Sequence, residues 1–538
     1  ELLLILGRNG SGKTTLVKHL NGLLTPQEGE VWVDGLSTLD AAALPQVRRR
    51  VGLVFQNTEN QIVGQTVEEE VAFGPENLNL ASPEIRRRVQ WALELVGLLA
   101  KSKRSPMQLS VGEQKLLAIA SVLVMEPRYI ILDEPFSMLD HSACGAIWEV
   151  LEELKARGHG IVLISHEPEH IEHADRVALL KEGELVFGGS PQEILRAGAL
   201  ESAGLAPPDI VTLFYALNGR APKAHFPEIP VSVEAMAELL KERLHLYKFT
   251  PWHEENSNRA KLPTCQPANI LATQALNFFY NKNQANETWA LKAINATIKA
   301  GEFVGITGAT GSGKSTLVQH FNGLLTPHSG LVLFKGENVT RLKHSELARR
   351  VGIVFQHPNH QLFAESVFKE VAFGLKEKGV KAQELESRVK RALEQMGLDY
   401  ERFKDRHPQS LSGGEQIKLA IAAILALEPE VLILDETLVS LDPVMRRDFL
   451  SYLERLNSEG TTIIIVSHRL RCLTKAHRIL ILSEGQLIKE GSPTEIFYDH
   501  GELADMPQIP ALMAKLGLAA LGALSVEQAQ EVLLKVLE

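Results

Sequence analysis

The sequence predicts an α/β chain made of two similar domains, each a mostly parallel sheet with helices. Three observations carry that expectation. First, GRNGSGKTTL (from Gly7) and GATGSGKSTL (from Gly308) each follow an apolar run and precede a helical pattern. Second, further segments recur in the same order at an offset of 300 to 302 residues. HLNGLLTPQEGEV answers HFNGLLTPHSGLV, RRVGLVFQN answers RRVGIVFQH, LSVGEQ answers LSGGEQ, IILDEP answers LILDET, and LISH answers IVSH. Third, apolar β-branched runs alternate with helix-period segments inside each copy.

The loops come first. Both fit G-x-x-x-x-G-K-[ST], the phosphate-binding pattern. Glycine lets backbone amides turn inward around phosphate oxygens where a Cβ would obstruct them. The binding candidates are Gly7, Arg8, Asn9, Gly10, Ser11, Gly12, Lys13, Thr14 and Thr15 in the first copy. In the second they are Gly308, Ala309, Thr310, Gly311, Ser312, Gly313, Lys314, Ser315 and Thr316. Lys13 and Lys314 would bring positive charge to the β- and γ-phosphates of ATP, and Thr14 and Ser315 a hydroxyl to Mg²⁺. The strands LLLIL and FVGIT lead in, and the helical segments LVKHLNGLL and LVQHFNGLL lead out, so the phosphates would sit on a helix N-terminus.

Asp133 and Asp435 close the next apolar strands, YIIL and VLIL, and each is followed by a glutamate. The aspartate can hold Mg²⁺, and Glu134 or Glu436 can orient and deprotonate an attacking water. His166 and His468 end GIVLIS and TIIIVS, placed to hydrogen-bond a γ-phosphate. Gln56 and Gln356 follow VGLVF and VGIVF, placed to sense the metal and the water. His357 and His360 read as polar loop residues rather than metal ligands, because the first copy has Asn57 and Asn60 there.

Each copy ends in a helical tail, with VSVEAMAELLKERL (231–244) matching LSVEQAQEVLLKVL (524–537) and Ser232 and Ser525 at the N-cap position. The expected boundaries are a first nucleotide domain at 1–200, a tail at 201–244, a polar linker at 245–268, a second nucleotide domain at 269–497 and a tail at 498–538. The second copy has residues 269–307 before its loop motif, against six residues in the first. An opening β-hairpin is therefore expected to be missing upstream of the first.

Composition narrows the function. Net charge is −10 and residues 200–268 carry seven Lys/Arg against eight Asp/Glu, so neither a basic surface nor a basic arm argues for nucleic acid. No apolar stretch reaches the roughly 18 residues a membrane helix needs. Three distant cysteines, Cys144, Cys265 and Cys472, read as free thiols of a reducing cytoplasm.

Loop, glutamine, LSGGEQ, LDE and SH in this order resemble the ATP-binding-cassette (ABC) ATPases, across both halves. The resemblance implies two P-loop NTPase domains of ABC type, each with a helical signature subdomain, acting as ATPases with ATP and Mg²⁺. In that family two cassettes pair head to tail. An intramolecular pair is expected, with Ser412 and Gly414 completing the first site and Ser110 and Gly112 the second. Tyr280 is the expected adenine-stacking aromatic. Two departures stand out: Val111 replaces the usual first signature glycine, and DETLVSLD replaces the usual DEPTSALD.

More finely, FQNTENQIVGQTVEEEVAFGPENL (55–78) and the tails resemble the ATPases of energy-coupling-factor (ECF) importers, the cobalt and vitamin branch. That implies a place on the cytoplasmic face of the membrane, a transmembrane coupling protein (T component) and a substrate-binding membrane protein (S component) as partners, and no nucleic acid. Glu68, Glu69 and Glu70 are candidates to receive arginines of the coupling protein, or simply favour the helix dipole. A twin-cassette ATPase acting on ribosomes or nucleic acid, or one from another ABC transporter class, is the alternative.

Overall fold

The computed structural model describes residues 1–58, 61–137, 139–220, 229–244, 268–280, 288–356, 361–499, 507–516, 518 and 522–537. The expected linker, Ala268 excepted, and His357, His360 and Cys265 lie outside the described residues. Compact packing divides the chain into two units, one built on Glu1–Glu238 and the other on Leu239–Leu441 with Met445–Glu538.

In the first unit a six-stranded sheet runs Val51–Val54, Tyr129–Asp133, Gly160–Ser165, Leu2–Leu6, Arg176–Lys181, Glu184–Gly189. Its neighbours pair in parallel except the last two, which are antiparallel. The second unit repeats this order with Val351–Val354, Val431–Asp435, Thr462–Val466, Phe303–Thr307, Arg478–Ser483 and Gln486–Gly491. Strands covered on both faces need apolar side chains at every position, so the central ones read as unbroken apolar runs instead of alternating ones.

The pleat sorts those runs between two cores. In the second unit Phe303, Leu432, Leu434, Ile463 and Ile465 pack with the helices on one face. Val304, Ile306, Ile433, Ile464 and Val466 pack on the other face beneath an antiparallel sheet ordered Thr288–Lys299, Asn269–Tyr280, Ser329–Phe334, Glu337–Asn338. Among the described residues of the first unit the comparable antiparallel element is the pair Trp32–Val33 and Leu36–Ser37.

Between the second and third strands of the chain order, each unit inserts packed helices: Val67–Asn77, Ser82–Leu95 and Val111–Leu123 in the first, Val367–Glu377, Ala382–Gln395 and Gly413–Leu425 in the second. Capping boxes start several of them. Thr66 with Glu69, Ser110 with Glu113 and Ser412 with Glu415 satisfy amides the helix leaves bare. The tail helices Val233–Leu244 and Val526–Leu537 are capped by the Ser232 hydroxyl, accepting from Ala235 N, and the Ser525 hydroxyl, accepting from Gln528 N. Met236, Leu240, Ala529 and Leu533 are buried.

Helix Val111–Leu123 presses on strand Val51–Val54 where the strand has no side chain. A Cβ on Gly52 would lie 2.2 Å from Val122 Cγ1, and one on Gly352 would lie 2.4 Å from Ile424 Cγ2. By contrast, a Cβ on Gly145, in helix His141–Ala156, meets nothing within 4 Å. Gly52→Ala should therefore destabilise the first unit by about 1–3 kcal/mol through overpacking. Gly145→Ala should stabilise it by about 0.5–1 kcal/mol through helix propensity. Urea unfolding of the two variants checks this; a harmless Gly52→Ala would mean the helix moves away at little cost.

Candidate functional site

Parallel register places three strand ends side by side. Leu6 lies opposite Ser165, and Asp133 opposite Ile164. In the second unit both Ile306 and Asp435 lie opposite Val466. The loop, the acidic pair and the histidine therefore emerge at one edge of each sheet.

The loops close on themselves. Gly12 (φ 96°) and Gly313 (φ 98°) cap the helices Lys13–Leu20 and Lys314–Phe321 from the left-handed region. A Cβ on Gly7 would lie 2.5 Å from Leu180 O, and one on Gly308 would lie 2.0 Å from Leu482 O, so strand and loop meet too closely for any other residue. Each lysine folds back under its loop. Lys13 Nζ donates to Gly7 O (2.7 Å) and Arg8 O (2.9 Å), and Lys314 Nζ to Gly308 O (2.8 Å) and Ala309 O (2.9 Å). Burial pushes the Lys13 pKa down, against the pull of Glu134 and Asp133. Asn9, Gly10, Thr15, Ala309, Thr310 and Gly311 stay exposed at the loop mouths.

The hydroxyl–carboxylate pairs form in both units. Thr14 Oγ1 donates to Asp133 Oδ2 at 2.7 Å, and Ser315 Oγ to Asp435 Oδ1 at 3.0 Å. Both aspartates are 2% exposed. Burial raises the pKa of Asp133, and that of Asp435 to about 6, outweighing the hydroxyl hydrogen bonds. Asp133 Oδ1 and the Ser11 and Ser312 hydroxyls are buried without a hydrogen-bond partner. A divalent cation held by Asp133 with Thr14, or by Asp435 with Ser315, would answer the buried carboxylate. Phosphate oxygens over the loop would answer the serines.

Glu134 (φ 48°) and Glu436 (φ 52°) both take the left-handed conformation, which costs a non-glycine residue about 1–3 kcal/mol. Backbone bonds from Glu134 N to Ile164 O (3.1 Å) and from Glu436 N to Val466 O (2.9 Å) hold the bend. The side chains turn to the histidines: His166 Nδ1 lies 3.0 Å from Glu134 Oε2, and His468 Nδ1 2.9 Å from Glu436 Oε2. Each glutamate also stands 4.0 Å from its loop lysine. Burial alone would lower the His166 pKa, but the Glu134 carboxylate, helped by Glu167, lifts it to about 9. Burial would raise Glu134, and the same His166 pairing overcomes that and brings it below the usual range. His166 Nε2 lies 3.5 Å from Glu167 Oε1, too long for a well-made hydrogen bond.

Lys13, Thr14, Asp133, Glu134, His166 and Gln56 thus form one contact network, with Gln56 Nε2 donating to Glu134 Oε2 at 3.4 Å. Gln356 makes no such bond to Glu436 in the second unit. The signature serines stand apart from this network: Ser110 and Ser412 cap their own helices. Gly112 is required by packing, since its Cβ would lie 2.5 Å from Ala143 Cβ; at Gly414 the nearest atom is Met445 Cε at 3.4 Å. Val111 is 39% exposed at its helix start. Tyr280 is 42% exposed beside the loop helix, its hydroxyl 3.1 Å from Thr316 Oγ1 and its ring T-shaped against Phe278.

The three acids at the start of helix Val67–Asn77 divide their roles. Glu70 is buried and accepts from Val63 N and Gly64 N, each at 2.7 Å, and from Ser121 Oγ at 3.3 Å. It is committed to anchoring the loop after Gln56 and is not available to an arginine. Glu370 does the same for Phe363 N (3.0 Å) and Ala364 N (2.7 Å). Glu69 completes the capping box, and Glu68 pairs with Lys103. Sequence reasoning also missed Lys115, buried next to the Glu134 turn; its mismatch with Ile417 at the repeat-equivalent position was the available signal.

Comparison with known proteins follows the same lines. The family model described as ABC transporter matches residues 1–137 and 291–439. An ABC transporter ATP-binding protein of Methanosarcina acetivorans is 34% identical over 531 residues, covering 96% of this chain and 85% of its own. One from Caldanaerobacter subterraneus subsp. tengcongensis is 32% identical over 532 residues, covering 96% and 91%. A solved cbiO1 cassette from Clostridium perfringens, described as part of the ABC transporter complex cbiONQ, is 37% identical, covers 46% of this chain and 99% of its own, and has a TM-score of 0.40.

The raised His166 pKa fixes a pH dependence. A folded-state value near 9 against 6.5 means the ion pair with Glu134 stabilises fully below pH 6.5 and is lost as pH rises through 9. The stability gap between the unmodified chain and His166→Asn should therefore be widest below pH 6.5 and narrow up to pH 9. Urea midpoints across that range measure it; a constant gap would show that His166 carries no proton-linked stability.

Proposed function

This chain belongs to the ABC transporter family as an ATPase with two cassettes, and from that premise we propose that it energises an importer of the ECF type, driving uptake of a vitamin or transition-metal ion through separate membrane subunits. The observation that carries this reading is the segment after Gln56. FQNTENQIVGQTVEEEVAFGPENL resembles the ECF ATPases, and in its described part Val63 and Gly64 are anchored on Glu70 and helix Val67–Asn77 turns apolar side chains outward. Val63 is 64% exposed and Phe73 52%; in the second cassette Phe363 is 67% exposed and Phe373 51%, packed edge to face. Beside strand Val51–Val54 a cleft of about 240 Å³ is lined by residues including Leu23, Arg48, Phe55, Val122 and Met125. Apolar surface of this kind marks a partner site, and we assign it to the coupling membrane protein. With Glu70 committed to its loop, Glu68 is the remaining side chain placed to exchange an intramolecular lysine for a partner's arginine. No helix among the described residues is long and apolar enough to cross a membrane, so the chain would bind at the cytoplasmic face through such a partner.

The chemistry follows from the site. Thr14 with Asp133, and Ser315 with Asp435, would hold Mg²⁺, which would supply charge neutralisation for the phosphates. Lys13 and Lys314, released from their carbonyls, would hold the β- and γ-phosphates. Glu134 and Glu436 would accept the proton of the attacking water, and His166 and His468, fixed through Nδ1, would offer Nε2 to the γ-phosphate. Tyr280 would stack on adenine in the second cassette.

Two experiments test this. Hydrolysis should require Mg²⁺ and stop in excess chelator; turnover without the metal would remove Asp133 and Asp435 from their role. The tagged chain purified from its own membranes should retain a polytopic membrane subunit and a second membrane protein, and Phe73→Asp should reduce that recovery about tenfold while leaving nucleotide affinity unchanged. Recovery of ribosomal subunits or nucleic acid instead would favour the alternative twin-cassette reading.

A further inference from the structure

A buried ammonium sits against the backbone of the candidate base in one cassette and is replaced by a hydrocarbon in the other. Lys115, three residues past Gly112 on helix Val111–Leu123, is 4% exposed. Its Nζ donates to Ser137 O (2.9 Å), Ser137 Oγ (2.9 Å) and Glu134 O (3.3 Å). Ser137 Oγ in turn donates to Glu134 O at 2.9 Å, and Ser137 N to the same oxygen at 3.2 Å. The left-handed turn at Glu134 is thus gripped from both sides. Ile164 O takes its amide, and Lys115 with Ser137 takes its carbonyl.

At the equivalent place in the second cassette stands Ile417, a member of the apolar core. There Glu436 O accepts from Val439 N at 3.3 Å, and the Thr437 hydroxyl reaches Val354 O and Asp435 O. The turn there has no lysine on Glu436 O; its buried cation is Arg446, which reaches the next residues instead, donating to Leu438 O (3.3 Å) and Leu441 O (2.9 Å). A cation directly on the carbonyl of the candidate base is thus particular to the first cassette, and burying an ammonium there is costly where the second copy holds its turn from Arg446 and an isoleucine.

We propose that Lys115 is a positioning residue for hydrolysis at the first site. It locks the strained turn so that the Glu134 carboxylate stays on His166 and Gln56, and it ties that turn to the helix that begins at Ser110. The strain at Glu134 gives the turn somewhere to relax: without the ammonium the backbone can leave the left-handed region and swing the carboxylate away. A base misplaced by an ångström loses rate without losing ATP. This inference rests on the reading of Glu134 as the base.

The test uses the full chain and four variants: Lys115→Met, Lys115→Arg, Ile417→Met and Glu134→Gln. The turnover lost in Glu134→Gln defines the Glu134-dependent part. Lys115→Met should lower that part about tenfold or more, from the loss of charged hydrogen bonds, with KM, Mg²⁺–ATP affinity and the unfolding midpoint unchanged. Lys115→Arg, which keeps the charge, should recover part of the rate, and Ile417→Met should leave it within about twofold. If Glu134→Gln is impaired and Lys115→Met is not, the role given to Lys115 is wrong. If kcat, affinity and folding fall together in Lys115→Met with no recovery in Lys115→Arg, the lysine only holds the fold. An unimpaired Glu134→Gln would instead overturn the assignment of the base.

Discussion

In each cassette three parallel strands end at one level, and the phosphate loop, the acidic pair and the histidine hang from those ends. The phosphate loop continues from Leu6 or Thr307, the acidic pair closes Tyr129–Asp133 or Val431–Asp435, and the histidine follows Ser165 or Ser467. A shift of one residue in that register would turn each functional side chain to the opposite face. The period-2 division of the sheet between two cores opposes such a shift, because it would exchange whole sets of buried side chains.

Within that frame, charge is buried before any ligand arrives. Lys13 and Lys314 stand on carbonyls and beside glutamates, Asp133 and Asp435 are held by single hydroxyls, and Glu134 and Glu436 lean on histidines. The raised Asp pKa values and the unpartnered Ser11, Ser312 and Asp133 oxygens measure how incompletely the protein alone satisfies these groups. Such a site is preorganised in its carboxylates, hydroxyls and histidines, which are already fixed, whereas the two loop lysines would have to leave their carbonyls for phosphate. The two cassettes are not equal in this respect. Gln56 donates to Glu134 whereas Gln356 makes no hydrogen bond to Glu436, and Lys115 and Pro135 correspond in the repeat to Ile417 and Thr437.

Much of this was legible in the sequence, and the reason is physical. Phosphate loops need glycine where backbone meets backbone, as Gly7 and Gly308 do, so the requirement is written in residue type. Asp133 and Asp435 were readable because a buried strand must be apolar until it ends. The left-handed backbone of Glu134 and Glu436 was not readable, since it is imposed by bonds to Ile164 and Val466, distant in sequence. Glu70 was misassigned for a related reason. An acid in the first turn of a helix fits a dipole, an arginine or a returning loop equally well, and only the fold shows Val63 N and Gly64 N arriving at its carboxylate. Lys115 differs in the sequence from Ile417, its repeat counterpart, but what it touches becomes visible only with its burial.

The central claim is that each cassette assembles its own phosphate and metal groups before ligand binds. Equilibrium titration of the chain with a non-hydrolysable ATP analogue tests it most directly. The account predicts two analogue molecules bound per chain in Mg²⁺, each dependent on the metal, with Lys13→Ala removing one and Lys314→Ala the other. A single molecule bound per chain, or two bound as tightly without Mg²⁺, would contradict it.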